Sequence, residues 1–185
     1  MKRIAVMTSG GDSPGMNAAI RAVVRTAMNY DIEVYGVRQA YTGLINGDFE
    51  LLTSVEVSGI LQRGGTILQT ARNEEFKTTQ GQKRGLRRLN EQGIQGLVIV
   101  GGNGSLTGAL ALHRMGFPVI GVPGSIDNDI FGTDMAIGVD SAMNVILEAL
   151  DRLRDTASSH QRAFLIEVMG RNCGYLALTG GILGG

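Results

Sequence analysis

The chain has 185 residues, enough for one well-packed core or for one domain and part of another. Its 17 basic and 17 acidic residues balance, so the composition predicts no general attraction to nucleic acid or to an anionic membrane. A single cysteine excludes an internal disulfide framework and is typical of a reducing compartment. No apolar run is long enough for the core of a signal peptide or for a membrane span. We therefore expect a cytoplasmic protein.

The first part of the chain predicts a strand, a glycine-rich turn, a helix and a second strand. Residues 4–8 form an apolar run of strand length, and apolar residues recur at helical spacing along 16–27. The turn between them, residues 9–17, would present backbone N–H groups to a phosphate. It matches neither the dinucleotide-binding nor the Walker A pattern, so a tight turn without a ligand remains the alternative. Residues 33–38 predict the second strand, and a turn is expected at 41–43.

The middle of the chain repeats this order of elements. Residues 63–72 form a second glycine-containing loop with an arginine at each end, and the polar residues 73–92 predict a surface helix. Residues 97–100 predict a buried strand, which is followed by the glycine loop 101–105 and another helix. Two strand–loop–helix units favour a phosphate site more strongly than either unit alone.

The stretch 123–129 follows an apolar run, residues 119–122, that predicts another buried strand. It carries a hydroxyl at Ser125 and carboxylates at Asp127 and Asp129, at the edge where open α/β sheets bind their ligands. An aspartate there is a natural general base for a hydroxyl group. The alternative is an Asx-rich turn that only closes the strand.

The last part of the chain predicts a long helix after residue 140, a strand at 163–168 and a turn at 169–172. Basic side chains cluster at the end of the helix, and the glycine-rich ending lacks a cap or a polar tail. We therefore expect the chain to stop inside a domain.

These elements together predict a three-layer, Rossmann-like α/β fold. Its sheet is expected to be mainly parallel, with helices on both faces. We place a first domain at about 1–138 and the beginning of a second, similar domain at 139–185.

Taken together, several segments resemble the signatures of bacterial ATP-dependent 6-phosphofructokinase. They are residues 8–17 (TSGGDSPGMN), 101–105 (GGNGS), 123–129 (PGSIDND), 151–160 and 167–171. The resemblance extends over the whole chain and corresponds to roughly the first half of such an enzyme. It implies the glycolytic transfer of the ATP γ-phosphoryl group to fructose 6-phosphate, with Mg²⁺, by a cytoplasmic, allosteric homotetramer.

The resemblance also implies roles for individual residues. Asp127 would be the base for the sugar hydroxyl, and Gly11, Arg72 and Ser125 would assist at the moving phosphate. The residues expected around ATP and ADP are Gly11, Tyr41, Arg72, Asn73, Gly102, Asn103, Gly104 and Ser105. The residues expected at the sugar phosphate are Ser125, Ile126, Asp127, Asp129, Met169, Gly170, Arg171 and, from a neighbouring subunit, Arg162. Those expected at the metal are Asn103 and Asp129, and those at the effector cleft are Arg21, Arg25 and Arg154.

The chain departs from the family pattern at Asn103 and at Ser54 and Gly59, and it lacks the second half of such an enzyme. Two glycines bear on the phosphoryl donor. Asn103 stands where most members carry a metal-binding aspartate, which predicts weaker or rearranged metal binding because hard cations prefer carboxylates. Ser54 and Gly59 stand where many allosteric members have charged effector contacts, which leaves regulation by ADP or phosphoenolpyruvate open. Gly104 and Gly124 stand where pyrophosphate-dependent relatives carry aspartate and lysine, which favours ATP.

Three alternatives remain open from the sequence. One is a pyrophosphate-dependent member of the same family. Another is a non-catalytic or truncated subunit that binds nucleotide and partner chains. The last is a plain nucleotide-binding Rossmann-like domain, which would not need Arg162 or Arg171 for its binding.

Overall fold

The computed structural model describes residues 1–185. The strands are β1 (Arg3–Ser9), β2 (Glu33–Val37), β3 (Phe49–Leu52), β4 (Leu97–Gly101) and β5 (Val119–Pro123). The α-helices are α1 (Met16–Met28), α2 (Ala40–Asn46), α3 (Thr79–Glu91), α4 (Asn103–Arg114), α5 (Val139–His160) and α6 (Tyr175–Gly184). A short 3-10 helix, Glu75–Lys77, precedes α3.

The five strands form one sheet in the order β3-β2-β1-β4-β5. Every neighbouring pair is parallel except β2 and β3, which are antiparallel. The register pairs Ser9 with Gly101 and Gly101 with Pro123, so β1, β4 and β5 end side by side. The predicted α/β fold with a mainly parallel sheet is confirmed.

Side chains alternate across β1 between two hydrophobic cores, because successive strand residues point to opposite faces. Ala5 and Met7 pack with residues of α2, α3 and α4. Val6 packs on the other face with Ile20 of α1 and with the loop that follows β3. The sheet is therefore covered on both faces, which confirms the three-layer arrangement.

Two sequence expectations about strands are wrong in part. β5 is a strand, but it is an edge strand on which Ile120 is 65% exposed, because no strand pairs with its outer side. Residues 163–168 are extended without being a strand. No backbone hydrogen bond joins them to another segment, and an apolar run becomes a strand only when it has a hydrogen-bonded neighbour.

The turn expected at 41–43 is instead part of helix α2. Two left-handed residues, the N-cap Gln39 and the first helical residue Ala40, turn the chain sharply out of β2 at the start of this seven-residue helix. Gly43 lies directly against the carbonyl group of Arg38, where a Cβ would be only 1.7 Å from the oxygen. A short helix that starts in this way has too little periodicity to be visible in the sequence.

Residues 139–185 contain α5, α6 and the extended segment between them, and α5 packs against α6. Met143 of α5 and Leu176 of α6 share a third hydrophobic cluster with Ile130 and Ala136. The division into domains at residue 138 stays a prediction. No helix combines the length and the apolar character needed to cross a bilayer.

Ala40 provides a test of the backbone geometry in front of α2. Its φ is 54° and its side chain is fully buried, and a left-handed conformation costs a residue with a Cβ about 1–2 kcal/mol. We expect Ala40→Gly to raise the free energy of unfolding by up to about 1 kcal/mol, despite the greater chain entropy of glycine.

Urea unfolding of the two proteins measures this difference. Ala22→Gly in the exposed face of α1 is the control, since glycine in a helix interior costs about 1 kcal/mol. Equal losses in both variants would contradict the proposed strain at Ala40.

Candidate active site

Three loops leave the sheet at neighbouring strand ends, where parallel strands place their ligand sites. The Gly124 N–H donates to the Gly101 carbonyl at 3.0 Å, which joins the ends of β5 and β4. A Cβ on Gly102 would lie 3.7 Å from the Cβ of Ser125, so the two loops touch at this point. The structure therefore brings together the two glycine loops and the aspartate-rich loop that the sequence singled out.

Helix α4 starts earlier than expected, at Asn103, so the glycine loop 101–105 is largely the first turn of the helix. The first N–H that bonds within α4 is that of Leu106, to the Gly102 carbonyl at 3.0 Å. The preceding N–H groups of Asn103, Gly104 and Ser105 remain without acceptors, as at every helix start. Together with the helix dipole they form an anion-binding end, and nothing lies within 4 Å of where a Gly104 Cβ would be.

The first glycine loop offers another open donor. Gly10 has a φ of 88°, a conformation that favours glycine, and a Cβ placed on it would meet the Ser105 hydroxyl at 3.2 Å. Gly11 is exposed, and its N–H has no acceptor within the protein. The Gly11 N–H and the start of α4 thus both offer backbone donors without acceptors.

Tyr41 belongs to α2 and packs against α4. Its hydroxyl donates to the Ser105 carbonyl at 2.6 Å, and its ring stacks on Phe76 with the centroids 4.0 Å apart. Only 7% of Tyr41 is exposed, and burial raises the pKa of its hydroxyl. Gly108 lies under the ring, where a Cβ would be 2.4 Å from the tyrosine oxygen. The contacts of Gly108 and Phe76 with Tyr41 could not be predicted from the sequence, since they join residues that lie far apart in the chain.

Arg72 and Asn73 differ in how far their side chains are engaged. Asn73 accepts from the Phe76 N–H at 2.8 Å and donates to the Thr42 hydroxyl at 3.2 Å, so both ends of its amide are used to fix the loop. Arg72 is exposed and takes part in no side-chain hydrogen bond or ion pair. Its charge is therefore available to an anion.

The aspartate-rich loop is shaped by its own polar groups. Ser125 accepts a hydrogen bond from the Asp127 N–H at 3.3 Å. Asn128 has a φ of 51° and bonds to the backbone of Asp134 and Ala136, which closes the loop. This role of Asn128 was not foreseen. The carboxylates of Asp127 and Asp129 form no ion pair and accept no hydrogen bond, so both remain free to meet a ligand.

Asn103 joins the two loops across the cleft, because its amide nitrogen donates to the backbone carbonyl of Asp129 at 3.3 Å. A carboxylate at this position could not make that bond. The structure has no cluster of three or more histidine, cysteine or acidic side chains that could hold a metal ion. Two free carboxylates nevertheless suit Mg²⁺, which commonly takes one or two carboxylates together with substrate phosphates.

The residues expected at the sugar phosphate lie in the extended segment between α5 and α6. Val168 packs against the same cluster as Ile126, so this segment runs beside the aspartate-rich loop. Met169 and Gly170 are exposed there, and neither Arg162 nor Arg171 bonds to the loop through its side chain. The structure thus brings the segment close without assembling its arginines around Asp127.

The expected effector residues lie on two helices, with Arg21 and Arg25 four residues apart on α1 and Arg154 on α5. Arg21 donates to the Val57 carbonyl at 2.6 Å, and Arg25 is exposed on α1. Arg154 lies on α5 and forms no hydrogen bond or ion pair with either of them. Gly59 has a φ of 66°, a conformation in which most other side chains would be strained. The effector role of these residues stays a prediction.

A profile of the phosphofructokinase family matches residues 3–185 of the chain. The ATP-dependent 6-phosphofructokinase of Halalkalibacterium halodurans is 60% identical over the whole chain, and that of Natranaerobius thermophilus is 58% identical. The chain spans 58% of the length of each of these two relatives.

Solved structures agree with this similarity. Phosphofructokinase from Saccharomyces cerevisiae superposes with a TM-score of 0.93 at 45% identity, over 98% of this chain and 28% of the yeast chain. A pyrophosphate-dependent phosphofructokinase from Marinobacter aquaeolei superposes with a TM-score of 0.84 at 26% identity, over 99% of this chain and 50% of that protein.

The hydroxyl of Tyr41 predicts a pH dependence of stability. Because its pKa is raised in the folded state, the unfolded chain ionises first, and stability is lost as the pH rises above the ordinary value of about 10. Tyr41→Phe should cost about 1 kcal/mol at pH 7 through the lost bond to Ser105, and should show a shallower decline at alkaline pH.

Urea unfolding at intervals between pH 7 and 11 tests both effects. Tyr30→Phe supplies the control for loss of a tyrosine hydroxyl, since Tyr30 is exposed and its replacement should leave the stability at pH 7 unchanged. Identical alkaline slopes for Tyr41→Phe and the unaltered protein would contradict the prediction.

Proposed function

The chain belongs to the phosphofructokinase family, and from this we propose that the protein carrying it phosphorylates fructose 6-phosphate to fructose 1,6-bisphosphate with ATP. The observation that carries the proposal is the contact between two loops, one with free carboxylates and one with free N–H donors for an anion. The unpaired Asp127 carboxylate lies in a loop that touches the anion-binding start of α4, through Gly102 and Ser125. A base for a hydroxyl thus lies beside a site for phosphate.

Each group has a role that follows from its chemistry. Asp127 accepts the proton of the sugar hydroxyl as that oxygen attacks the γ-phosphorus. The N–H groups of Gly11 and of the first turn of α4 bind the phosphate oxygens, and the free guanidinium of Arg72 neutralises the charge on the moving group. Positioning and charge neutralisation carry most of phosphoryl transfer, and these residues supply both.

ATP is the proposed donor, and two glycines support it. The open space around Gly104 leaves room for the nucleotide, which a carboxylate there would crowd and repel. A Cβ on Gly124 would lie 3.2 Å from a methyl carbon of Val100, so a lysine there would have to displace its neighbour. Pyrophosphate remains the control donor for experiments.

Mg²⁺ is the proposed cofactor, and Asp129 is the residue whose carboxylate would hold it, together with the phosphates. The cation supplies neutralisation of phosphate charge during transfer. Asn103 would contribute at most an uncharged oxygen, because its nitrogen is already bonded to the Asp129 carbonyl.

The remaining assignments follow from the family membership. We propose that Met169, Gly170 and Arg171 hold the sugar phosphate, and that Arg162 reaches it from a neighbouring subunit of a homotetramer. The position of residue 168 beside the aspartate-rich loop supports the first of these. A cytoplasmic location, a place in glycolysis, the effector residues and the domain division at 138 are proposed on the same basis.

A non-catalytic nucleotide-binding subunit is the second candidate. It is favoured by one observation, namely that Asn103 stands where most members of the family carry a metal-binding aspartate. Such a subunit would bind nucleotide and would not depend on Asp127.

Asp127→Asn separates the two candidates. It removes the base and keeps the shape of the side chain, so we expect turnover to fall by about 10²–10⁴-fold. The measurement is ADP release from Mg·ATP that depends on fructose 6-phosphate, with pyrophosphate as the control donor. The native gene product and the 185-residue chain are assayed side by side.

Asp134→Asn is the matched control, because Asp134 is an exposed acid in the same loop whose side chain forms no bond. Its activity should stay within about twofold of the unaltered protein, as is usual for substitutions at the surface. Absence of turnover with either donor in the native product would contradict the kinase and leave the binding subunit.

Asn103→Asp tests the metal assignment. A third carboxylate beside Asp127 and Asp129 should tighten Mg²⁺ binding in the nucleotide complex roughly fivefold, which corresponds to about 1 kcal/mol for a charge pair in water. It should also weaken nucleotide binding without Mg²⁺, because the added charge repels phosphate.

Calorimetric titration of ADP with and without Mg²⁺ measures both quantities without relying on turnover. Asn103→Ala serves as the control for the lost bond to Asp129, since it removes the amide and adds no charge. Equal metal dependence in the aspartate and alanine variants would exclude a cation beside residue 103.

A further inference from the structure

Thr70 connects the two loops that carry the phosphate-binding groups. Its hydroxyl donates to the Gly10 carbonyl oxygen at 2.8 Å, across 60 residues of sequence. Thr70 lies two residues before Arg72, and Gly10 lies immediately before Gly11. One hydrogen bond therefore stands next to both the free guanidinium and the free N–H of the proposed site.

The bond also orients the Gly11 N–H. In a trans peptide the carbonyl of one residue and the N–H of the next belong to one rigid plane and point in opposite directions. When Thr70 holds the Gly10 carbonyl on its own side, the Gly11 N–H must point away from Thr70. Two successive glycines leave this peptide plane free to rotate, so a fixed acceptor partner has a large effect on its orientation.

The rest of the loop is already anchored upstream of Thr70. Buried Asn17 bonds to the backbone of residues 63, 64 and 67. Buried Thr8 bonds to the Thr66 hydroxyl at 2.7 Å and donates to the Gln69 carbonyl at 3.3 Å. Thr70 is thus the last residue before Arg72 whose side chain bonds to the first glycine loop.

The next anchor along the chain after Thr70 is Asn73. Arg72 therefore lies between two fixed points, one on the glycine loop and one on α2. Loss of the Thr70 hydroxyl frees the first of these points and releases the Gly10–Gly11 peptide at the same time.

We propose that Thr70 is a positioning residue for phosphoryl transfer, which sets the direction of the Gly11 N–H and the reach of Arg72 through one hydrogen bond. The proposal rests on the proposed function of the site. It concerns a residue whose own side chain need not touch the substrate.

Thr70→Val and Thr70→Ser form the matched pair that tests it. Valine keeps the size and branching of threonine without the hydroxyl, whereas serine keeps the hydroxyl. Since Thr70 is exposed, neither change disturbs the core. We expect valine to lower kcat roughly threefold to tenfold, the usual worth of one hydrogen bond, with the KM for ATP changed less than twofold. Serine should keep kcat within about twofold.

A second measurement does not depend on turnover. Backbone ¹⁵N relaxation of Gly11 and Arg72 should show lower order parameters in Thr70→Val than in the unaltered protein, and unchanged ones in Thr70→Ser. If the unaltered native product has no kinase activity, the proposed function fails while this measurement still decides whether Thr70 orders the two residues.

Two results would overturn the proposal. Equal kcat and equal order parameters for the valine variant and the unaltered protein would show that the hydroxyl orders nothing. Equal losses for valine and serine would assign the effect to side-chain shape rather than to the hydrogen bond.

Discussion

The candidate site depends first on the parallel register of β1, β4 and β5. The pairing of Ser9 with Gly101 and of Gly101 with Pro123 ends three strands at one level. Gly101 is required for this closeness, because a Cβ there would lie 2.4 Å from the Ser9 carbonyl oxygen and 2.7 Å from the Ser105 hydroxyl. A shift of one residue in this register would separate the phosphate-binding loops from the aspartate-rich loop.

Bonds from side chains to backbone groups hold the loops above this edge. Tyr41, Asn73, Asn128 and Asn17 each fix a neighbouring loop in this way. The ion pairs lie elsewhere, on partly or well exposed side chains such as Arg84 with Glu75. The charged groups Arg72, Asp127 and Asp129 form no ion pair within the protein and remain available to a ligand.

How far the sequence could predict the fold depended on the length of each pattern. The buried run of β1 and the apolar stripe along the thirteen-residue helix α1 are long enough to be recognised. Helix α2 has only seven residues and starts in a left-handed conformation at Gln39 and Ala40, so its sequence looks like a turn. Residues 163–168 have the composition of a strand, but composition does not supply the partner that a strand requires.

The candidate site could likewise be predicted where the signal is local in the sequence, and not where it depends on residues far apart in the chain. Glycines and aspartates next to a strand are visible in the sequence, which is why the glycine loops and Asp127 could be predicted. Gly108 and Phe76 matter through contacts with Tyr41, which lies more than thirty residues away in the chain. No local pattern marks such residues. The unexpected bond of Asn103 to Asp129 likewise depends on two loops meeting in space.

The loops of the cleft differ in charge, and each charge favours a different kind of ligand group. Backbone N–H groups, the positive end of α4 and Arg72 lie on the side of the first glycine loop and favour phosphate. Asp127 and Asp129 lie on the other side, where they repel phosphate and attract a hydroxyl proton or a cation. Asn103 stands between them and adds no charge to either side. The proposed transfer requires an anionic donor and a hydroxyl group to meet in one place, and these two sets of groups are each suited to one of the two.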